Sequence, residues 1–422
     1  MREEVAVTGI GIVTALGVGP AATLAALERE VPAFRDLTTF DASRYDVRRG
    51  GEAVAPEEAF PGIDLGPRQL DRAQRHLIGT LDQALKDARL DEGAGGAAGA
   101  GETANPYAPH RRELLLGSTL VAMLQAADFI REEARVGPER APYRKLAEWS
   151  AEAALRHASL RFGVRGMSLI VSNACASGAA SVALAIDRLR RGRADLVVTG
   201  GFDPACEYTH AGFGSLLLLS KSGCRPFEKG REGMLLGEGY AILVLERLAD
   251  ARRRGARVHA LARGGAATSD GFHLTQPDPE GRGAARCIAA ALADADLAPR
   301  DVDYVNLHGT GTAFNDLAEY RALRSVFGGA LPGVPVSSTK SYLGHALGGA
   351  GAVEAVISIL ALNAGYAPPT LDVRDVDPEM AGLDLVRDRK AGGGGRTIDA
   401  RVVLSNSFGF GGANAALVFS KP

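Results

Sequence analysis

Three residues in this 422-residue chain combine a reactive side chain with a setting that chemistry uses: Cys175, His308 and His345. Cys175 lies in Val171-Ser172-Asn173-Ala174-Cys175-Ala176-Ser177-Gly178. The apolar run 167–171 reads as a buried strand, and 179–189 reads as a helix with apolar positions at helical spacing. The thiol therefore falls at a strand-to-helix turn beside a helix N-terminus. Unpaired N–H groups and the positive end of the helix dipole favour an anion there, which predicts a stabilised thiolate. Small neighbours leave room for a substrate. His308 heads His308-Gly309-Thr310-Gly311-Thr312 after an apolar stretch, 302–307, and His345 closes Lys340-Ser341-Tyr342-Leu343-Gly344-His345 before a helix expected over 350–362. Both sit after strands, where α/β proteins place their sites. Each has a plainer alternative: free cysteine is often a small core hydrophobe, and a lone histidine is often structural. Three such groups, each at a strand end flanked by Gly, Ser or Thr, are not accounted for by the plainer reading.

The elements that must position them alternate strand and helix through both halves of the chain, which implies an α/β fold with helix-covered sheets. The halves, 1–256 and 257–422, both open and close on short apolar strands, the mark of a duplicated unit. Helices are expected over 23–29, 68–90, 143–162, 284–293 and 313–327. On the helix at 68–90, Arg68, Arg72 and Arg75 fall on the solvated face. A Gly- and Ala-rich loop occupies 93–101. Lys and Arg number 48 against 50 Asp and Glu, so the net charge of −2 gives no support to charge-driven nucleic-acid binding. Four cysteines without a CxxC pair fit a reducing compartment with neither a disulfide framework nor a zinc site. The N-terminus lacks a signal-peptide pattern, and no apolar run looks long enough to cross a membrane. The expectation is a soluble cytoplasmic protein. Gly9-Ile10-Gly11 is followed by Thr14 where a dinucleotide fingerprint wants glycine.

Four segments carry a more specific resemblance. Asn173 to Gly178, His308 to Thr312, Lys340 to His345 and Asn406-Ser407-Phe408-Gly409-Phe410-Gly411-Gly412 occur in the order and spacing of β-ketoacyl-acyl carrier protein synthases. Val7 to Gly11 and Arg225-Pro226-Phe227…Gly237-Glu238-Gly239 look like that family too. The resemblance covers nearly the whole chain and is nearest to the ketosynthase II and type II polyketide branch. It implies the thiolase fold, with two pseudo-duplicated α/β halves stacked as five layers (αβαβα), in a homodimer or a heterodimer with a chain-length-factor-like subunit. It implies a decarboxylative Claisen condensation: an acyl group moves to Cys175, malonyl-acyl carrier protein loses its carboxylate, and the resulting enolate attacks. His308 and His345 would donate to the enolate oxygen, and the backbone N–H groups of Cys175 and Phe410 would hold the tetrahedral oxyanion.

By the same resemblance, Lys340 pairs with Glu354, and Phe410 gates the acyl pocket. Thr310, Thr312 and Thr275 contact the phosphopantetheine arm, and Leu120, Val121 and Phe213 line the acyl pocket. Arg68 and Arg72 meet an acidic carrier protein. No cofactor or metal is expected; the substrates ride on the carrier's phosphopantetheine. Two departures stand out. Gly117-Ser118-Thr119-Leu120-Val121-Ala122-Met123 carries bulky residues where relatives usually have a glycine pair, which points to short or flat conjugated acyl chains. Leu217 stands where relatives often have a basic contact for the carrier protein. Two rival readings are a coenzyme A-dependent thiolase and a non-catalytic chain-length-factor-like partner. The first needs a second reactive cysteine near the C-terminus, but the last cysteine is Cys287. The second typically loses the nucleophile, which is present here.

Overall fold

Apart from five two-residue strands, the strands fall into two five-stranded sets built to one plan, in a computed structural model that describes residues 3–67, 70–90 and 105–422. The first set contains β1 (Val5–Thr14), β2 (Arg112–Gly117), β3 (Ser168–Val171), β4 (Leu196–Asp203) and β5 (Gly239–Arg247), side by side in the order β1-β5-β4-β2-β3. β5 is antiparallel to both β1 and β4, whereas β4, β2 and β3 run parallel. The second contains β6 (Ala260–Ser269), β7 (Tyr304–Asn306), β8 (Val336–Ser337), β9 (Val402–Gly409) and β10 (Ala413–Ser420), in the order β6-β10-β9-β7-β8 with the same pattern of directions. A short antiparallel pairing of Ala6 with Leu261 and Val7 with Ala260 joins the sets through β1 and β6. The internal repeat is thus written in strand order and direction.

Helices complete the layers. α1 (Arg72–Asp87) packs on β1 and β5, outside the first sheet; α4 (Arg282–Ala295) covers β6 and β10, and α5 (Ala313–Phe327) packs beside it. Between the sheets lie α3 (Ser177–Arg190) and α6 (Ala350–Ala364), each touching strands of both sets and each other. This is the αβαβα stack of the thiolase fold. α6 and the turn before it, Leu347–Ala364, have the length and mean hydropathy (1.6) of a membrane span, which corrects the expectation that no apolar run is long enough. The segment is 83% buried inside the protein, as befits a helix apolar on all sides in a central layer. α3 and α6 meet backbone to backbone at their N-terminal turns. A Cβ on Gly178 would lie 2.7 Å from the Ala352 nitrogen, and one on Gly351 would lie 2.7 Å from the Ala179 nitrogen. Glycine is required there by the close approach of the helices.

Among the helices whose ends differ from the sequence expectation, two have a clear local cause. α1 starts at Arg72 because Asp71 caps it: the Asp71 carboxylate accepts from Gln74 N, and the Gln74 side chain accepts from Asp71 N. The helix expected over 143–162 breaks into the short turn Arg144–Trp149 and α2 (Ala151–Arg161), with Ser150 capping α2 through Ala153 N. Arg68 and the Gly/Ala-rich loop at 93–101 lie outside the described residues.

Candidate functional site

The three reactive residues come from equivalent ends of the two halves. Cys175 follows β3 and precedes α3; His345 follows β8 and precedes α6; His308 follows β7 and precedes α5. All three line one cavity of about 330 Å³, together with Phe213, Phe408, Phe410 and Thr310. The Cys175 turn is held in an unusual backbone state, with Ala174 at φ +47°, a conformation that costs free energy and persists only where surroundings enforce it. The Ser177 hydroxyl is one such constraint. It accepts from Asn173 N at 2.8 Å and donates to Ala174 O at 2.5 Å.

Electrostatics around the sulfur oppose the sequence expectation of a stabilised thiolate. Burial pushes the Cys175 thiol up to about 12, the Asp203 carboxylate adds to that, and Lys340 and the Phe410 N–H facing the sulfur pull the other way. The resting group is therefore a thiol. The helix N-termini that meet at Gly178 and Gly351 stabilise negative charge as it develops, since each carries roughly half a positive charge.

The histidines are neutral, and their tautomers are fixed by their neighbours. Burial holds both imidazoles well below the usual histidine range; Lys340 lowers both further, and His345 also lowers His308. Lys340 Nζ lies 3.3 Å from His308 Nδ1, donates to His308 O at 2.6 Å and binds Glu354. An ammonium can only donate, so His308 Nδ1 accepts and the ring proton sits on Nε2. The Leu347 N–H donates to His345 Nδ1 at 3.2 Å, which fixes the same tautomer there. Each ring is left with an Nε2–H donor, and the ring centroids are 5.2 Å apart. Burial raises the Glu354 carboxyl, and Lys340 acts against it.

Three buried carboxylates shape the loops, and sequence reading passed over all of them. Glu319 accepts from His308 N and Gly309 N, both at 2.8 Å, and from Asn406 Nδ2 at 3.3 Å. Burial pushes it up to about 7. Asp316 accepts from Thr310 N, Gly311 N and Phe227 N. Asp203 accepts from Ser118 Oγ at 2.6 Å, Leu120 N at 2.9 Å and Gly348 N at 2.7 Å, tying the turn after β2 to the turn before α6. The available signal was an acid at a strand end, or one to two helical turns into a helix that follows a glycine-rich loop.

The remaining expected site residues divide. Thr275, Thr310 and Thr312 line the cavity, with the two latter hydroxyls 2.8 Å apart. Phe410 packs on Phe213 with ring centroids 5.6 Å apart. Leu120 does not line the cavity: it belongs to the apolar cluster that holds Met123, Cys206, Leu235 and Leu347, which reaches the cavity through Phe213 and Met234. Val121, at φ +49°, packs toward the separate core outside the first sheet. Arg72 corrects the docking expectation most directly. Its side chain is only 19% exposed, and its guanidinium faces inward to Glu238 and to the Ala53 and Val54 carbonyls. Around the cavity, Leu217 is 86% and Phe314 60% exposed.

The sequence model of the β-ketoacyl synthase N-terminal domain matches residues 2–251, and that of the C-terminal domain matches residues 259–374. The 3-oxoacyl-[acyl-carrier-protein] synthase 2 of Staphylococcus aureus (strain COL) is 33% identical over 434 aligned positions, covering 100% of this chain and 99% of that protein. Among solved structures, the ishigamide ketosynthase/chain length factor superposes with a TM-score of 0.90 at 30% identity, covering 100% of both chains. A type II polyketide ketosynthase, in complex with its acyl-carrier protein and bound to the hexaketide, superposes with a TM-score of 0.87 at 25% identity, again covering both chains fully.

Proposed function

The chain belongs to the β-ketoacyl synthase family of condensing enzymes, and from that premise we propose that Cys175 carries the growing acyl group while His308 and His345 activate the malonyl extender. The observation that carries this reading is the matched pair of tautomers. Lys340 and the Leu347 N–H each occupy an Nδ1, so both rings offer Nε2–H to one oxygen in the cavity.

The steps follow from the groups present. The Cys175 sulfur attacks the acyl thioester, and its proton leaves on the departing pantetheine sulfur, so the transfer changes no net charge. The N–H of Phe410, which faces the sulfur, and the N–H of Cys175 hold the tetrahedral oxygen. A malonyl thioester then loses its carboxylate as carbon dioxide. The electron pair left behind is held as an enolate by the two Nε2–H donors, and the enolate carbon attacks the acyl-cysteine carbonyl. Collapse breaks the bond between that carbon and sulfur and expels the Cys175 thiolate, which takes a proton from water to regain the resting thiol. Neutral imidazoles serve here because they donate without giving up a proton.

The substrates are carried on the phosphopantetheine of an acyl carrier protein, with the arm passing Thr310, Thr312 and Thr275. The assembly is a homodimer or a heterodimer with a chain-length-factor-like subunit, acting in the cytoplasm; the four free thiols accord with a reducing compartment. The acyl group is short or flat and conjugated, as in specialised polyketide or polyene assembly. Leu120 shares one apolar cluster with Phe213 and Met234, which line the cavity, and this supports the reading. The presence of Cys175 favours an active ketosynthase over a non-catalytic partner.

The test is intact-protein mass spectrometry after incubation with a ladder of acyl-carrier thioesters. Wild type is expected to gain acyl mass on Cys175, most readily for short or conjugated chains. Cys175→Ala is expected to gain none while still releasing carbon dioxide from malonyl thioester. Acyl labelling of Cys175→Ala would overturn the assignment of the nucleophile.

A further inference from the structure

We infer that the buried ion pair of Arg72 and Glu238 is a positioning device for His345, acting through a three-ribbon hydrogen-bonded clamp. The inference rests on the role given to His345 above and concerns what holds that residue in place.

The clamp is built from segments distant in sequence. The segment 235–238 runs between residues 51–53 and the turn that carries His345. On one side His345 N donates to Leu235 O at 2.8 Å, and Gly237 N donates to His345 O at 2.9 Å. Both backbone polar groups of His345 are thus committed to this ribbon. On the other side Gly51 N donates to Leu236 O at 2.9 Å, and Glu238 N donates to Gly51 O at 2.7 Å. The fit leaves no slack. A Cβ on Gly51 or on Gly237 would run into the Leu343 carbonyl, and one on Gly344 would lie 2.7 Å from Leu236 O. The position of the ribbon therefore sets the position of His345.

The ribbon is itself anchored by Glu238, which is fully buried. Its carboxylate accepts from Arg72 Nε and Nη2, both at 2.8 Å, from Ala53 N at 3.0 Å and from the Tyr240 hydroxyl at 2.6 Å. Arg72 Nη2 also donates to Ala53 O at 2.6 Å. One planar cation and one carboxylate thus fix residues 53, 72, 238 and 240 together. A bidentate pair gives geometric definition that a lysine point charge does not. Arg72 sits at the start of α1, on the outer layer of the stack, so the outer helix is tied to the catalytic turn.

The variants are Glu238→Gln, nearly isosteric but uncharged and with one acceptor oxygen in place of two, so that it keeps the bond from Tyr240 or from Ala53 N but not both, and Arg72→Lys, which keeps the charge and loses the fork. The probes are malonyl-N-acetylcysteamine, followed as carbon dioxide released, and hexanoyl-N-acetylcysteamine, followed as acyl mass on Cys175. The expected result for Glu238→Gln is a tenfold or greater loss in kcat for decarboxylation, with acylation of Cys175 within threefold of wild type. Arg72→Lys is expected to fall between the two. Circular dichroism at the assay temperature establishes the folded fraction. Equal loss of both activities, tracking that fraction, or undiminished decarboxylation in folded Glu238→Gln, would overturn the inference. His345→Asn separates the underlying reading: if it decarboxylates as wild type does, the role of His345 itself falls, whatever Glu238→Gln shows.

Discussion

Lys340 offers a perturbation whose two consequences differ in kind. Its side chain is 1% exposed, and its three N–H donors go to His308 O, His308 Nδ1 and Glu354. Lys340→Met keeps the length of the side chain and removes all three contacts. Glu354 is then buried without its cation, and breaking one side of a buried pair costs about 3–5 kcal/mol. That is a large part of the roughly 5–15 kcal/mol by which a domain is stable. Independently, His308 loses the donor that fixes its tautomer. Removing an oxyanion donor outright costs about 10²–10³ in rate; a donor present for only part of the time costs less, about tenfold or more. A second substitution separates the effects. Glu354 Oε2 has no partner among the described residues, so Lys340→Met with Glu354→Leu replaces the pair by apolar groups, a change that is often close to neutral. The double variant is expected to regain about 2 kcal/mol or more over Lys340→Met in urea unfolding. Its rate of carbon dioxide release from malonyl thioester is expected to stay at the single variant's level. If decarboxylation recovers together with stability, Lys340 acts only by holding the fold, and the tautomer argument is refuted.

Other expectations follow from buried groups. His76 is fully buried and stacked on Tyr240 with ring centroids 4.5 Å apart. Burial, then Arg72, pushes it down to about 3. Between pH 3 and about 6.5 the unfolded chain binds a proton at this site that the folded chain does not, so stability falls as the pH falls through that window. At pH 5 the deficit is about 2 kcal/mol, and His76→Phe is expected to remove it; an acid-unfolding midpoint unchanged in that variant would contradict the argument. Leu120→Ala is expected to cost about 2–5 kcal/mol as a cavity and to extend the accepted acyl chain by a carbon or two, with discrimination of about 1–3 kcal/mol per methylene. Uniform loss along the acyl ladder, following the melting temperature, would mean that Leu120 serves only packing.

What the sequence made legible was local. β3 and α3 flank Cys175, and the helix expected over 313–327 is found at Ala313–Phe327, because glycine- and threonine-rich turns punctuate apolar runs at each site. Pairing across the chain was not legible. Arg72 reads as part of a charged helix face, and only the packing of 51–54 and 235–240 against it shows that the guanidinium points inward. The thiol was misjudged for a similar reason: a helix N-terminus is visible in the sequence, whereas the burial that outweighs it is not. Val121 and Leu120 are neighbours in sequence, yet a left-handed backbone at Val121 sends them to different cores. No local pattern announces such a turn in a β-branched residue. The family resemblance covers nearly the whole chain and rests on loops, and the loops are where the chemistry is.

The crossing of α3 and α6 at Gly178 and Gly351 has a mechanical consequence. Backbone rests on backbone there, and Cys175 and His345 each sit within a few residues of the contact. The distance across which carbon must attack carbon is therefore buttressed by the stiffest parts of the chain, not by rotamers that can hop. Hydrostatic pressure and moderate heating, which first collapse voids and loosen side chains, will change how well the acyl tail fits before they change the reach of the attack.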